Sequence, residues 1–151
     1  MTPALPQSIV VETLRNYFER EALRFGVEAA FLYGSWAAGL PRFGSDIDVA
    51  VLFENEDISE NEVFKLLNVI MFNLAKILFC EVNAIPIYTD FRKPMLYYNA
   101  IIKGIPVFFK DGLKYIRLIN EALYHMEDFE IFGRQWQIDH ARRNLEEIQH
   151  A

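Results

Sequence analysis

A short alternating segment is the feature that most constrains how this chain can fold. Residues 46–53 alternate with the two-residue period of a β-strand, which places both aspartates on one face and only apolar side chains on the other. The first face holds Asp46, Asp48, Ala50 and Leu52, and the second holds Ile47, Val49, Val51 and Phe53. The apolar run 27–33 predicts a second, buried strand close before it.

Helical periodicity and turn residues on either side of these strands complete the predicted order of elements. Helices are predicted over 8–25, 59–79 and 94–103 and from Leu113 onward with a weak point at Gly133, and further strands over 80–87 and 105–109. Ser59 followed by Glu62 is a capping-box pattern. The order helix, strand, strand, helix, strand, helix, strand, helix predicts an α/β or α+β domain. Residues 1–112 would form its core, and residues 113–151 a helical extension of the same domain.

Composition limits the classes of protein to which the chain can belong. With 151 residues it fits one ordinary domain. A net charge of −6 disfavours general nucleic-acid binding. The single cysteine, Cys80, excludes an internal disulfide and favours a cytoplasmic setting. The apolar stretch 63–79 is interrupted by lysines and asparagines, so we expect an amphipathic helix rather than a membrane span.

Three features that lie close together in the sequence indicate a chemical site. Gly34 and Ser35 follow the first predicted strand and open a predicted helical turn, where free amides bind phosphate. A link of ten residues, long enough for a turn and a loop, then leads to Asp46 and Asp48, which share one strand face and carry the oxygen ligands that Mg²⁺ prefers. A Gly-Ser pair or an Asp-x-Asp pair alone would carry little weight. Aspartates are depleted in strands, however, and two on one face are costly unless they are solvated or bind a cation.

Gly34-Ser35, a ten-residue spacer and Asp46-Ile47-Asp48 together resemble the signature of the polymerase-beta-like nucleotidyltransferase superfamily. The stretch GSWAAGLPRFGSDIDVAVLF is similar to its minimal members, the MNT proteins. The resemblance implies a small mixed sheet flanked by helices. It also implies a nucleotide site at Gly34, Ser35, Arg42 and Ser45 and a metal site at Asp46 and Asp48. Ala38 stands where the family often has a basic residue, so one positive charge is missing.

The third carboxylate of the family is the main departure from its pattern. Laying EVNAIPI on the family's later strand puts Glu81 on the first acidic position and Asn83 on the second, which is usually the catalytic one. Glu81 shares a strand face with Asn83 and is our candidate for the third catalytic acid, beside Asp46 and Asp48. Otherwise Asn83 marks a lost catalytic position, because an amide cannot act as a general base.

The resemblance implies an enzyme that uses Mg²⁺ to transfer AMP from ATP to a hydroxyl of a partner protein. MNT proteins commonly act as antitoxins that adenylylate HEPN ribonuclease toxins, so a HEPN protein is the expected partner. The alternative is a nucleotide-binding antitoxin that neutralises this partner by contact alone. Antibiotic nucleotidylation is disfavoured, because that group has a C-terminal substrate domain that we do not find here. The helical residues Ile131, Trp136 and Ile138 could be core or an exposed partner surface.

Overall fold

Four helices flank a four-stranded sheet in the computed structural model, which describes residues 5–41 and 44–149, apart from the side chains of Phe132 and Gln137. In chain order the elements are α1 (Gln7–Phe25), β1 (Val27–Tyr33), β2 (Ile47–Phe53), α2 (Glu60–Leu78), β3 (Val82–Pro86), α3 (Pro94–Ile101), β4 (Ile105–Phe109) and α4 (Gly112–Gln149). This sequence of elements is the predicted one. It confirms an α+β domain with a small mixed sheet.

The sheet has the strand order β3-β2-β1-β4. β1 is central and runs antiparallel to both β2 and β4, whereas β2 and β3 are parallel. A parallel pair needs a crossover connection, and α2 supplies it between β2 and β3. The first residues of β2 and β3 therefore lie side by side at one edge, next to the end of β1.

Two hydrophobic clusters cover the two faces of the sheet. The first packs α1 and α2 against Ile47, Val49 and Val51, and the second packs α3 and the start of α4 against Phe31 and Ala50. The two faces predicted for residues 46–53 are thus confirmed, with the aspartates on the α3 and α4 side. β1 is covered on both faces, and its residues 27–32 are all buried.

Most helix boundaries agree with the predictions to within one residue. The Ser59 hydroxyl accepts a hydrogen bond of 3.2 Å from the backbone N–H of Glu62 at the start of α2, as the capping pattern indicates. The helical period of residues 8–25 predicts a buried face that includes Ile9 and Leu23, and this is wrong for both, because they are exposed by 46% and 85%. Near its two ends α1 instead buries Val10, Ala22 and Phe25.

Two further boundaries differ from their predictions for local reasons. α3 ends at Ile101 rather than at residue 103, because the chain must turn at Gly104 to enter β4. β3 is shorter than residues 80–87, with Cys80 and Ile87 outside its ladder. A one-residue difference at β2 leaves Asp46 just before the strand.

α4 continues through Gly133 without a break, so the predicted weak point does not interrupt the helix. One glycine costs a helix interior only about 1 kcal/mol, which its neighbours offset. Leu118 and Ala122 pack onto the sheet side. An outer row points away from them at seven-residue spacing and is more than half exposed: Tyr124, Ile131, Ile138 and Leu145. No helix in the described ranges is both long and apolar enough to cross a membrane.

Candidate functional site

The chain leaves β1 through a series of turns that begins at Gly34. Gly34 has φ +76°, a left-handed conformation that favours glycine. The N–H of Ala38 then donates to the carbonyl of Gly34 at 3.2 Å, and the N–H of Leu40 donates to that of Ser35 at 3.0 Å. These residues form turns and not the predicted helical turn. Anion binding here would therefore rely on individual turn amides rather than on a helix dipole.

Two side chains fix this turn against the rest of the molecule. The amide of Gln7, the first residue of α1, donates to the carbonyls of Trp36 and Ala37 at 2.7 and 3.0 Å. The buried indole of Trp36 donates to the carbonyl of Ser45 at 3.3 Å. The second bond ties the turn to the chain that enters β2. Gly34-Ser35 and Asp46 are consequently held at one edge of the sheet.

Asp48 lies directly against the backbone of Gly34. A Cβ added to Gly34 would stand only 2.6 Å from Asp48 Oδ2. The pairing of Tyr33 with Asp48 in the β1–β2 ladder produces this approach. The structure therefore brings two separate parts of the predicted site together, the Gly34-Ser35 turn and the Asp-x-Asp strand.

Asn83 joins the two aspartates from the neighbouring strand. It is the register partner of Asp48 in the parallel β2–β3 pair. Its side-chain amide donates to Asp46 Oδ2 at 2.9 Å. An amide donor between two carboxylates offsets part of the repulsion between them. An ionised acid in the same place would instead increase that repulsion.

Burial and charge both affect the ionisation of this cluster. Partial burial raises the pKa of Asp48, the negative charge of Asp46 raises it further, and a hydrogen bond from Asn83 lowers it. Burial, together with the charge of Asp48, raises the pKa of the neighbouring Tyr33 to about 12. The tyrosine is therefore a neutral phenol near neutral pH, and the site's negative charge resides on its carboxylates.

Glu81 is at the same edge of the sheet but contributes its backbone. Its carbonyl accepts a 2.9 Å hydrogen bond from the N–H of Ile47, while its side chain is exposed. Within residues 5–41 and 44–149, no three His, Cys, Asp or Glu side chains are grouped so that they could hold a metal ion. Asp46 and Asp48 thus form a two-carboxylate cluster in which Asn83, not Glu81, is the third polar group.

The donor set fits a hard divalent cation. Two carboxylates on one strand face supply the oxygen ligands that Mg²⁺ prefers. Such an ion would take its other ligands from water and substrate phosphates rather than from an all-protein cage. Partial burial and the charge of Asp46 both raise the pKa of Asp48, and a cation bound beside it would offset both effects. Asp46 and Asp48 are the residues that would hold the ion.

The remaining predicted site residues have different outcomes. Arg42 lies outside the described residues. Ser35 and Ser45 are half-buried on the two arms of the turn. Sequence reasoning missed a cavity beside Gly34 whose lining includes Asn99 and Lys103 of the α3–β4 region. The cavity forms because Leu32 pairs with Ile105, which brings α3 and β4 next to the end of β1. This contact joins distant segments of the chain, so no local sequence pattern predicts it.

Several solved structures that share this fold come from toxin–antitoxin complexes. A chain of a toxin–antitoxin structure with AMP-PNP matches with TM-score 0.63 and 18% identity, over 83% of this chain and 95% of that one. A chain of the tri-AMPylated Shewanella oneidensis HEPN toxin in complex with MNT antitoxin matches with TM-score 0.60 and 16% identity, over 85% and 96%. A chain of the MntA–HepT toxin–antitoxin structure matches with TM-score 0.59 and 16% identity, over 85% and 96%.

The sequence itself carries a family match. No curated protein matches the chain. Residues 12–112 match the model of the family described as polymerase beta, nucleotidyltransferase. This stretch begins within α1 and ends at the first residue of α4, so it includes the whole sheet together with Gly34, Asp46 and Asp48. The chain therefore belongs to the polymerase beta nucleotidyltransferase family.

Proposed function

We propose that this protein transfers AMP from Mg²⁺-bound ATP to a hydroxyl group of a partner protein. The observation that carries the proposal is the contact of the Asp48 carboxylate with the backbone of Gly34, with Asp46 on the same strand face. It unites a backbone turn that phosphates can approach closely with the ligands of a divalent cation.

Each residue of the site has a separate role in the proposed reaction. A bound Mg²⁺ would neutralise triphosphate charge and align the reacting groups. Gly34 leaves space for a phosphate at the backbone, and the Ser35 hydroxyl can donate to a phosphate oxygen. The acceptor oxygen bonds to the α-phosphorus as the bond from that phosphorus to the bridging oxygen breaks, so pyrophosphate leaves. We assign the hydroxyl proton to the exposed side chain of Glu81. This residue stands outside the group formed by the two aspartates and Asn83, but its backbone is hydrogen-bonded to Ile47 at the same edge of the sheet.

A second candidate function rests on Asn83. Its amide already donates to Asp46, and no third acid joins the two aspartates in a metal-binding group of the described residues. These observations favour a protein that binds nucleotide but neutralises its partner by contact. In that case Asn83 stands at the position where the resemblance to the family implies a catalytic acid.

The proposed partner in either case is a HEPN-family toxin. Support comes from the structural neighbours, which include an MNT antitoxin bound to a HEPN toxin that carries AMP groups. The α4 outer row offers an apolar surface beyond the sheet, where a partner can dock and present its hydroxyl. The exposure of Ile131, Trp136 and Ile138 excludes the core alternative for these three residues.

Transfer of labelled AMP from ATP to a co-purified HEPN protein tests the proposal. We expect transfer by the wild type, none by Asp46→Asn with Asp48→Asn, and a loss of about 10²-fold or more with Glu81→Gln. Glu56→Gln, an exposed acid in the β2–α2 loop, is the control and should keep the rate.

The contact-only function predicts the opposite pattern. The wild type would then be nearly inactive while still neutralising the toxin, and Asn83→Asp would raise the transfer rate. Transfer that is unaffected by all of these substitutions would contradict both functions. Mg²⁺-ATP affinity measured by calorimetry separates loss of binding from loss of the chemical step.

A further inference from the structure

A cavity of about 300 Å³ opens beside Gly34 on the sheet face that carries the aspartates. On one side it is lined by the end of β1 and the following turn, and on the other by α3 and the residues that follow it. The lining comprises Tyr33, Gly34, Ala37, Ala38, Leu96, Asn99 and Lys103. A bound nucleotide that reaches Gly34 would therefore also reach Lys103.

Close packing at Gly104 determines where Lys103 lies. A Cβ on Gly104 would stand 2.1 Å from the carbonyl oxygen of Ala100 and 2.7 Å from that of Leu32, so only glycine fits between α3 and β1. Leu32 also pairs with Ile105. Lys103 is thus held beside the end of β1, next to the turn that begins at Gly34.

Lys103 is an available cation, unlike some of its neighbours. Arg92 is paired with Asp90 and Glu60, and Lys110 with Glu54. No acid in the described part of the chain forms an ion pair with Lys103. Its ammonium group is exposed and 5.9 Å from the centre of the Tyr98 ring.

Lys103 is the one charged side chain among the described residues that line this cavity. The other wall, which includes Ala38, carries no charged side chain. ATP keeps a net negative charge after one Mg²⁺ has bound, and two aspartates at this edge add to the repulsion. A cation that reaches this space from the opposite wall restores the charge balance.

We infer that Lys103 is a phosphate-binding residue of the nucleotide site and supplies positive charge from the cavity wall opposite Gly34. The inference rests on the proposed nucleotide binding and names a residue of that same site. An ammonium group pairs with a phosphate as a compact point charge, and such charge-assisted hydrogen bonds are roughly twice as strong as neutral ones.

Calorimetric titration of the full chain with Mg²⁺-ATP and with adenosine tests this inference. We expect Lys103→Met to raise the Kd for Mg²⁺-ATP about tenfold or more, because a charged hydrogen bond is lost. Its affinity for adenosine, which has no phosphate, should not change. Lys103→Arg should keep most of the affinity. Lys65→Met, on an exposed face of α2, is the matched control and should bind both ligands as the wild type does.

Several outcomes would overturn the inference, and they differ from failure of the proposed function. If Lys103→Met binds Mg²⁺-ATP as tightly as Lys65→Met does, Lys103 does not contact phosphate. The proposed nucleotide site itself would not be contradicted by that result. Equal losses for ATP and adenosine would mean that Lys103 only shapes the cavity. A wild type that binds no Mg²⁺-ATP would refute the proposed function, and this inference with it. Circular dichroism confirms that each variant is folded.

Discussion

At the scale of single residues, Gly34 is the position where backbone conformation and chemistry coincide. Its φ of +76° and the 2.6 Å that would separate an added Cβ from Asp48 Oδ2 both exclude larger side chains. We expect Gly34→Ala to lower the free energy of unfolding by about 1–2 kcal/mol from the left-handed backbone alone. Displacement of Asp48 should in addition weaken Mg²⁺-ATP binding at least about tenfold.

Gly26→Ala is the matched control for this prediction. Gly26 has a φ of +67°, but nothing lies within 4 Å of an added Cβ. Denaturant titration should show a similar loss of stability in both variants, whereas calorimetry should show weaker nucleotide binding only for Gly34→Ala. Equal nucleotide affinity in the two variants would mean that the contact between Gly34 and Asp48 has no role in the site.

Those parts of the candidate site that depend on spacing within one segment of the chain could be predicted from the sequence. The spacing of Asp46 and Asp48 correctly placed both on the face away from α1 and α2. The role of position 83 was harder to predict, because it depends on which β3 residue stands opposite Asp48. The register of the parallel β2–β3 pair determines that residue. A shift of two residues would place Glu81 there, and the sequence of β3 alone does not determine the shift.

At the scale of elements, α4 contains one position, Gly133, where a substitution should increase the stability of the helix. Gly133 lies in the interior of the helix, and an added Cβ would meet nothing within 4 Å. We expect Gly133→Ala to stabilise the surrounding helix by about 0.5–1 kcal/mol, because alanine loses less backbone entropy on folding. Hydrogen exchange of the amides of residues 129–145 should slow accordingly.

Gly112→Ala provides the comparison for this prediction. Gly112 is the first residue of α4 and also has free space around it. Its substitution should leave exchange in residues 129–145 unchanged, because it lies about five turns away along the helix. Faster or unchanged exchange in Gly133→Ala would show that the glycine is not the weak point of the helix.

The helices and strands were predictable because their signals lie within each segment. Ser59 with Glu62, Gly26 after α1 and the alternation in β2 each report on their own neighbourhood. The strand order β3-β2-β1-β4 depends on contacts between distant segments, and no local pattern encodes it. The turn after Ser35 was misread as helical for the same reason, since Gln7 holds it from α1.

At the scale of the whole molecule, the α4 outer row should determine partner binding. Ile138 is 52% exposed in the middle of this row. We expect Ile138→Asp to weaken association with the HEPN partner about 100-fold, because a carboxylate would be buried in an apolar contact. Co-purification and calorimetry measure the effect, and circular dichroism should show an intact fold.

Leu23→Asp is the matched control for this interface. Leu23 is an apolar residue of α1 with 85% exposure, on a different surface from the α4 outer row. Its substitution should leave partner affinity unchanged. An equal loss for both variants would point to a general solubility effect, and no loss for Ile138→Asp would place the partner on another surface.

The hydrogen bonds from Gln7 to the turn also affect the entropy of ligand binding. They join residues that are 29 and 30 positions apart, so they form when α1 docks on the sheet. Fixing the backbone of one residue costs about 1–2 kcal/mol of conformational entropy. For Trp36 and Ala37 that cost is met during folding, through α1, before any nucleotide arrives. A triphosphate that binds as proposed would therefore meet a turn that is already ordered, and more of its contact energy would be available for affinity.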